Sequence, residues 1–189
     1  MSLILGILAS SGVAAGAASS YESIATVTLT GSQSSIDFTS IPSTFTHLQI
    51  RATARGTRVD ALDGVKAQYN GDTGSNYSRH GLQGNGSSPF ANGGASTSSI
   101  TMDDFMSAST GGANVFGTFI IDILDYANTS KYKTQRGLGG ADLNGSGYIS
   151  FNSGNWRNTN AITSISLTPL YGSQFAQYSS FALYGIKGV

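Results

Sequence analysis

The sequence predicts an all-β protein: one antiparallel β-sandwich of jelly-roll-like arrangement over residues 21–189, preceded by an apolar docking segment over residues 1–20. Three observations lead to this prediction. Apolar and polar residues alternate with the period of two that is typical of a strand with one buried face. The 25 glycines, with many Ser, Thr and Asn residues, supply turns between short strands. No part of the chain shows a helical heptad pattern or an internal repeat.

Length and charge limit the classes of protein to which the chain can belong. Its 189 residues are enough for one domain with a proper core and too few for two comfortable ones. Ten basic residues balance ten acidic ones, so no net field is available to attract nucleic acid or an anionic membrane. Low net charge favours association instead. The chain has no Cys, which excludes disulfides and thiolate metal sites.

The first twenty residues, Met1 to Ser20, carry no charge and form the predicted docking segment. A signal peptide would require a Lys or Arg before the apolar run, and none is present. Only residues 3–8 are strongly apolar, whereas a transmembrane helix needs roughly 20 such residues. We expect a peptide that lies in a groove of a partner or gathers with its own copies around a symmetry axis. A signal or membrane segment and an inert extension are the alternatives. The predicted docking residues are Leu3, Ile4, Leu5, Ile7 and Leu8.

In the first half of the body, the clearest strand is predicted over residues 46–55. Leu48 and Ile50 face one side of it, and His47 and Arg51 face the other. The polar side of this strand is unusually rich in hydrogen-bonding groups. Further strands are predicted over residues 22–30, 35–39, 65–69 and, more loosely, 77–82, with a tight hairpin at Asn70-Gly71 and exposed loops over residues 84–89 and 92–99.

In the second half, the near-continuous apolar run over residues 115–124 predicts a central strand covered on both faces. The last strand, over residues 179–184, places Phe181 and Leu183 on its buried side. Because the domain closes on this strand, we expect attachment to other proteins through the N-terminal segment. The other predicted strands cover residues 99–102, 131–138, 148–151 and 164–168, and residues 142–147 form a turn between two of them.

Six segments spread over most of the body carry a family resemblance. They are Tyr21-Glu-Ser-Ile-Ala-Thr, Ile41-Pro-Ser-Thr-Phe-Thr-His-Leu-Gln-Ile-Arg, Asn70-Gly-Asp-Thr-Gly-Ser-Asn-Tyr, Ile121-Asp-Ile-Leu-Asp-Tyr-Ala-Asn-Thr-Ser-Lys-Tyr-Lys-Thr, Trp156-Arg-Asn-Thr and Ser179-Ser-Phe-Ala-Leu-Tyr-Gly-Ile-Lys-Gly. Through them the chain resembles a family of small bacteriophage virion proteins found in phages of cyanobacteria and other aquatic bacteria. The resemblance implies a structural component of the virion, repeated around a symmetry axis, and it supplies no catalytic residues.

The residues that could perform chemistry do not form a catalytic pattern. Asp103 and Asp104 are adjacent, and neighbours on a strand point to opposite faces, so they do not make an acid–base couple by themselves. The segment from Asp142 to Gly147 has oxygen ligands at alternate positions, but it lacks the third acidic ligand and the later bidentate Glu of a calcium loop. A tight hairpin explains it better. We therefore predict no catalytic residues, no metal site and no cofactor.

Two segments combine aromatic, Arg and Asn side chains in the manner of sandwich lectins. One is Trp156, Arg157 and Asn158, and the other contains Tyr77 and Arg79. Aromatic residues of these types also pack within sheets and at subunit interfaces, so the segments are candidates for either glycan or intersubunit contact. The polar face of the strand over residues 46–55 adds His47 and Arg51 to the same set of candidates.

The sequence thus favours a non-enzymatic structural protein of a bacteriophage virion, assembled in the host cytoplasm. The expected form is a homotrimeric fibre or knob, fixed to the tail or head by its N-terminus and able to bind a host surface glycan. A capsid decoration protein that stabilises the shell is the alternative, and a polysaccharide-degrading enzyme is a remote one. Other virion proteins and copies of the chain itself are the expected partners, without nucleic acid or membrane insertion.

Overall fold

The computed structural model describes residues 19–188, which form twelve strands and, within that range, no helix. The predicted docking residues Leu3, Ile4, Leu5, Ile7 and Leu8 lie outside the described residues. The strands are β1 (Tyr21–Thr28), β2 (Ile36–Phe38), β3 (His47–Ala54), β4 (Leu62–Tyr69), β5 (Tyr77–Gly84), β6 (Pro89–Thr97), β7 (Ile100–Ser107), β8 (Gly117–Leu124), β9 (Lys133–Asp142), β10 (Gly147–Trp156), β11 (Ile165–Pro169) and β12 (Ser180–Ile186).

The strands form two antiparallel sheets that pack together as a β-sandwich, which confirms the predicted fold class. The larger sheet has eight strands in the order β1-β12-β3-β8-β9-β10-β5-β6, and the smaller has four in the order β2-β11-β4-β7. Two hairpins, β9–β10 and β5–β6, continue the larger sheet beyond β8. We call these four strands the sheet extension.

Alternation along β3 and β12 builds the centre of the core. Leu48 and Ile50 on β3 are buried, as are Phe181 and Leu183 on β12. The two strands are neighbours, and Leu183 lies directly opposite Ile50. Fully burying a side chain of this size stabilises the fold by about 1.5–3 kcal/mol. The inward positions predicted for these four residues are therefore confirmed.

The Asn70-Gly71 turn has the backbone that the sequence predicts but a different role. Both residues have positive φ, 52° and 66°, as a tight turn of this type requires. However, β4 before the turn belongs to the smaller sheet and β5 after it belongs to the larger. The predicted hairpin is wrong, because the turn carries the chain from one sheet to the other.

Two further expectations about strands are wrong. Most of the predicted loop over residues 92–99 lies in β6, where Asn92 pairs with Gly81 of β5. Backbone pairing with a neighbour forms this strand despite its Gly- and Ser-rich sequence. Strand β8 is covered on one face only: Ile121 is buried, whereas Ile120 faces outward and is 38% exposed.

Glycines allow β7 to pack closely against the sheet extension. A Cβ at Gly137 would lie 2.9 Å from the ring of Phe105, and one at Gly139 would lie 2.8 Å from the same ring. On β10, a Cβ at Gly154 would lie 2.5 Å from Cγ2 of Ile100. Side chains at these positions would overpack the contact. The inner side of the extension therefore carries glycines in place of larger side chains where β7 packs against it.

Candidate functional site

The structure corrects the expectation that Trp156 and Tyr77 face a ligand. Trp156 is 1% exposed and Tyr77 is completely buried. Their rings stack with centroids 6.3 Å apart, and Tyr69 packs edge-on against the indole at 5.7 Å. The indole Nε1 donates to Oδ2 of Asp72 at 2.7 Å, and this bond is the largest cause of a lowered Asp72 pKa. Both residues are core residues, because their rings fill the space between the sheets at this end.

Arg79, the third of these candidates, also lies away from the surface. Its Nη1 contacts Oδ2 of Asp103 at 2.7 Å and donates to Oδ1 of Asn92 at 2.5 Å. Only 17% of the Arg79 side chain and 11% of the Asp103 side chain is exposed. A buried ion pair with a further hydrogen bond holds its partners in place. The guanidinium therefore links β5, β6 and β7 through these contacts and does not face a ligand.

Asp103 and Asp104 do not point to opposite faces as their adjacency predicts. Asp104 has a φ of 55°, and β7 bulges opposite Gly64 of β4. Asp104 therefore reaches Gln83 of β5, whose Nε2 donates to its Oδ2 at 3.1 Å, while Asp103 reaches Arg79. Burial, followed by the charge of Asp103, raises the pKa of Asp104. The two carboxylates join β7 to the sheet extension on the inner side.

Arg157 and Asn158 lie beyond the end of β10. Nη2 of Arg157 donates to the carbonyl of Ser75 at 2.6 Å, and the residue is exposed. Oδ1 of Asn158 accepts the N–H of Asn160 at 2.9 Å, as in a tight turn. These two residues stay at the surface, but the Trp156 ring that was expected to lie beside them points into the core.

His47 and Arg51 lie on the outer face of the eight-stranded sheet, which is the polar side predicted for their strand. Nδ1 of His47 accepts the backbone N–H of Asp125 at 3.0 Å. Oδ1 of Asp125 lies 3.5 Å from the same nitrogen. The structure does not bring the seven candidate residues together into one site.

The most unusual feature of the surface is the reversed polarity of the sheet extension. Its inner side, which faces the smaller sheet, carries buried polar side chains and glycines where apolar residues are expected. Its outer side carries large apolar side chains, and Leu82, Ile149 and Phe151 are 56–59% exposed. Exposed apolar groups in a contiguous patch mark interaction surfaces more often than single ones do. The buried polar side chains are Lys133, Gln135, Ser150, Asn152 and Gln83.

The exposed apolar residues form a continuous line across the strands. Ile120 on β8 lies opposite Leu138 on β9, which lies opposite Phe151 on β10, and that residue lies opposite Leu82 on β5. We call these four residues the apolar row. They line a depression of about 610 Å³ on the outer face. Ile149, also exposed, lies two residues from Phe151 on the same face of β10, whereas Phe90 on β6 lies opposite the inward-facing Gln83.

A second line, the polar row, runs beside the apolar row, two residues away on each strand. It consists of Asp122, Arg136, Ser153 and His80, each opposite the next in register. Asp122 accepts a hydrogen bond from Nε2 of Gln49 at 2.6 Å. Arg136 forms no ion pair with any residue between 19 and 188. The face therefore offers apolar contacts and unpaired polar groups side by side.

Two tyrosines and an arginine form a cluster at the other end of the outer face. The guanidinium of Arg51 lies 5.2 Å from the ring centroid of Tyr21 and 5.5 Å from that of Tyr184. Its Nε donates to Oε1 of Gln49 at 2.7 Å. Cation–π contacts of this kind contribute roughly 0.5–1 kcal/mol at exposed sites. The cluster keeps an aromatic and cationic surface fixed on β1, β12 and β3.

Sequence reasoning did not identify the apolar row or the tyrosine cluster. The one signal for the row was the alternation in residues 131–138, which places Leu138 opposite in direction to Lys133 and Gln135. Alternation alone does not say which side is buried. The cross-strand register that joins Leu138 to Phe151 and Leu82 is visible only in the folded chain.

Neither a metal centre nor a membrane-spanning helix is found in residues 19–188. The described part of the chain contains no group of three or more His, Asp or Glu side chains placed to hold a metal ion. It likewise contains no helix of the length and apolarity that crossing a membrane requires. Comparison of the chain with protein-family models, curated proteins and solved structures gives no match.

Proposed function

We propose that the protein is a non-enzymatic structural component of a bacteriophage virion. In this proposal it is a homotrimeric fibre or knob on the tail or head, docked to other virion proteins through residues 1–20 and assembled in the host cytoplasm. The resemblance carried by six segments of the body supports a virion role. The all-β sandwich is a fold suited to display on a particle.

The observation that carries the proposal is the outer face of the sheet extension. Leu82, Ile149 and Phe151 are more than half exposed there. The chain has no net charge, and only 11% of its residues are charged. An exposed apolar surface on a chain of low charge favours a permanent assembly over a soluble monomer. An assembled particle is a setting in which such a surface is covered.

The order of the strands supports the jelly-roll part of the hypothesis. Strands β1 to β4 alternate between the larger and the smaller sheet, and so do β8, β11 and β12 after β7. Without the sheet extension, four strands, β1-β12-β3-β8, face four others, β2-β11-β4-β7. Two four-stranded sheets with this exchange are the arrangement of jelly rolls, which recur in viral coat and lectin domains.

The number of copies per particle tests the proposal and separates its two forms. Purified particles are analysed by quantitative mass spectrometry against a structural protein of known copy number. A fibre or knob is expected at a few trimers per particle, whereas a capsid decoration protein is expected in numbers that match the shell subunits. Absence of the chain from purified particles would sink the virion proposal in both forms.

The same preparation tests the docking segment. Deleting Met1 to Leu8 removes the strongly apolar run but none of the residues of the β-sandwich. The shortened chain is expected to fold and to be missing from the particle. The matched control replaces Ser10 and Ser11 with alanines, which changes the same segment without removing apolar side chains. Equal incorporation of the shortened chain would contradict the docking role.

A further inference from the structure

We infer that the outer face of the sheet extension is the contact surface between copies of this chain. Each copy covers the apolar row of another: Ile120, Leu138, Phe151 and Leu82. The inference deepens the proposed homotrimer and rests on that part of the proposed function. It assigns the self-contact to a particular face of the sandwich and leaves the N-terminal segment for other proteins of the particle.

The first argument is the reversed polarity of the extension. On β9 and β10, the side chains of Gln135 and Asn152 are buried, whereas those of Leu138 and Phe151 are exposed. Burying a polar group costs free energy unless the group is hydrogen-bonded, and Oδ1 of Asn152 has no partner within the described residues. A strand with this pattern gains little from hydrophobic burial inside one chain. It gains more when its outer face is buried against another surface.

The second argument is the composition of the exposed row. Three of its four members are aliphatic, and its residues lie directly opposite one another on neighbouring strands. Sugar ligands are held mainly by aromatic faces and converging polar groups, whereas interfaces between identical subunits are apolar at their centre. Leu138 lies at the middle of the row, between Ile120 and Phe151. The row is therefore better suited to a protein surface than to a glycan.

The third argument is charge, and it favours a second copy over an unrelated partner. Besides His80, the outward side chains of β8, β9, β10, β5 and β6 include one cation, Arg136, and two anions, Asp122 and Asp142. A face that carries both signs allows the cation of one copy to meet an anion of the next around a threefold axis. Arg136 forms no ion pair within residues 19–188, so its guanidinium is available to Asp122 of another copy.

The fourth argument is area. The four strands of the extension and the adjoining β8, which carries Ile120, are spaced about 4.8 Å apart and are about eight residues long, so together they give a face of about 24 Å by 26 Å. The accessible area of such a face exceeds its projected area of roughly 600 Å², because side chains stand out from it. Standard stable interfaces bury about 800 Å² on each partner. The outer face of the extension is large enough for a specific contact between copies.

The test is the mass of the full chain in solution, measured by light scattering and sedimentation equilibrium. The wild-type chain is expected to assemble, at three times the 19.5 kDa chain mass for a trimer. Leu138→Lys places a charge in the middle of the row and is expected to weaken assembly by roughly 30-fold or more, the loss typical of an interface hot spot. Val59→Lys is the matched control, because Val59 is 89% exposed and lies outside the extension.

Two further measurements keep the outcome unambiguous. The double substitution Leu138→Thr and Phe151→Thr keeps residues that favour strands and introduces no charge, so it replaces the Lys variant if that chain does not fold. The fluorescence of Trp156, the one tryptophan, reports whether each variant retains its core. A wild-type chain that is monomeric at all concentrations would overturn the inference. So would folded row variants that assemble as the wild type does, since the contact would then lie elsewhere, including in the N-terminal segment.

Discussion

Among single residues, Asp72 holds the edge of the buried aromatic cluster of Tyr69, Tyr77 and Trp156 through a hydrogen bond to the indole. Its Oδ2 accepts hydrogen bonds from Nε1 of Trp156 at 2.7 Å and Nδ2 of Asn76 at 2.9 Å, and its Oδ1 accepts the N–H of Gly74 at 2.8 Å. These bonds favour the ionised form, so the pKa of Asp72 is lowered in the folded chain. A carboxyl group whose pKa is lower in the folded chain than in the unfolded chain stabilises the fold at any pH above the unfolded pKa. That stability is lost as the pH falls through the folded pKa.

Asp72→Asn is therefore expected to destabilise the chain at pH 7 by about 2 kcal/mol, the scale of a hydrogen bond to a charged group. This corresponds to a fall in Tm of about 4–8 °C for a chain of this size. The difference from wild type should begin to shrink as the pH falls below about 4, where Asp72 of the unfolded chain takes up a proton, and should shrink further as the pH passes the lowered pKa of the folded chain. Urea unfolding followed by Trp156 fluorescence measures both effects. Asp37→Asn, at an exposed position on β2, is the control, and an unchanged midpoint for Asp72→Asn at pH 7 would contradict the expectation.

At the scale of elements, the contact between β7 and β9 depends on missing side chains. Gly139 lies so close to β7 that an added Cβ would be 2.8 Å from Cγ of Phe105 and 2.8 Å from Cβ of Phe119. Neither ring can retreat freely, because Phe105 and Phe119 are buried and pack against each other with centroids 5.6 Å apart. The glycine therefore sets the distance between the two sheets here.

Gly139→Ala is accordingly expected to lower the free energy of unfolding by about 1–3 kcal/mol through overpacking. Gly31→Ala is the control, because no atom lies within 4 Å of its added Cβ and the residue lies outside the sheet extension. Chemical unfolding at constant pH compares the two. Equal free energies of unfolding for the two variants would contradict the prediction, because the added methyl group at Gly139 would then cause no overpacking.

Strands such as β3 and β12 could be predicted from the sequence because their apolar residues alternate with polar ones and face the core. In β9 the alternation was visible, but its direction was not, since Lys133 is buried there and Leu138 is exposed. Nζ of Lys133 donates to the backbone carbonyls of Asn128, Lys131 and Thr159 at 2.5–3.0 Å. These partners lie in two loops, residues 128–131 and the loop that contains Thr159, and no local sequence pattern predicts the contacts.

The candidate site could be predicted less well than the fold, for a related reason. Trp156 and Tyr77 have a composition suited to a ligand site, yet they stack on each other in the core. Arg51 was placed correctly on a polar face, but its contact with Tyr21 and Tyr184 joins residues far apart in sequence. Residue type indicates which chemistry is available, whereas register and topology decide which side chains meet.

At the scale of the whole molecule, the outer face divides into two parts with different chemistry. The sheet extension carries the apolar row, which we assign to contacts between copies. The cluster of Tyr21, Tyr184 and Arg51 lies on β1, β12 and β3, on the other side of β8 from the extension, and Arg51 lies opposite Ile120 at the end of the apolar row. Aromatic rings with a fixed cation and the Gln49 amide suit a polar ligand better than a second sheet. An assembly through the extension leaves Tyr21 and Tyr184, on the two strands farthest from it, free to face outward.

The host-glycan part of the proposed function therefore moves from Trp156 to this cluster. Tyr184→Ala removes one of the two rings beside Arg51 and is expected to reduce adsorption of the particle to host cells roughly tenfold, a change of about 1.4 kcal/mol. Assembly into the particle should not change, because Tyr184 lies outside the extension. Tyr178→Ala removes an equally large ring that is 70% exposed elsewhere on the surface, and it should leave adsorption unchanged. Equal adsorption of both variants, with normal incorporation, would remove the cluster as the glycan contact while leaving the structural role of the protein intact.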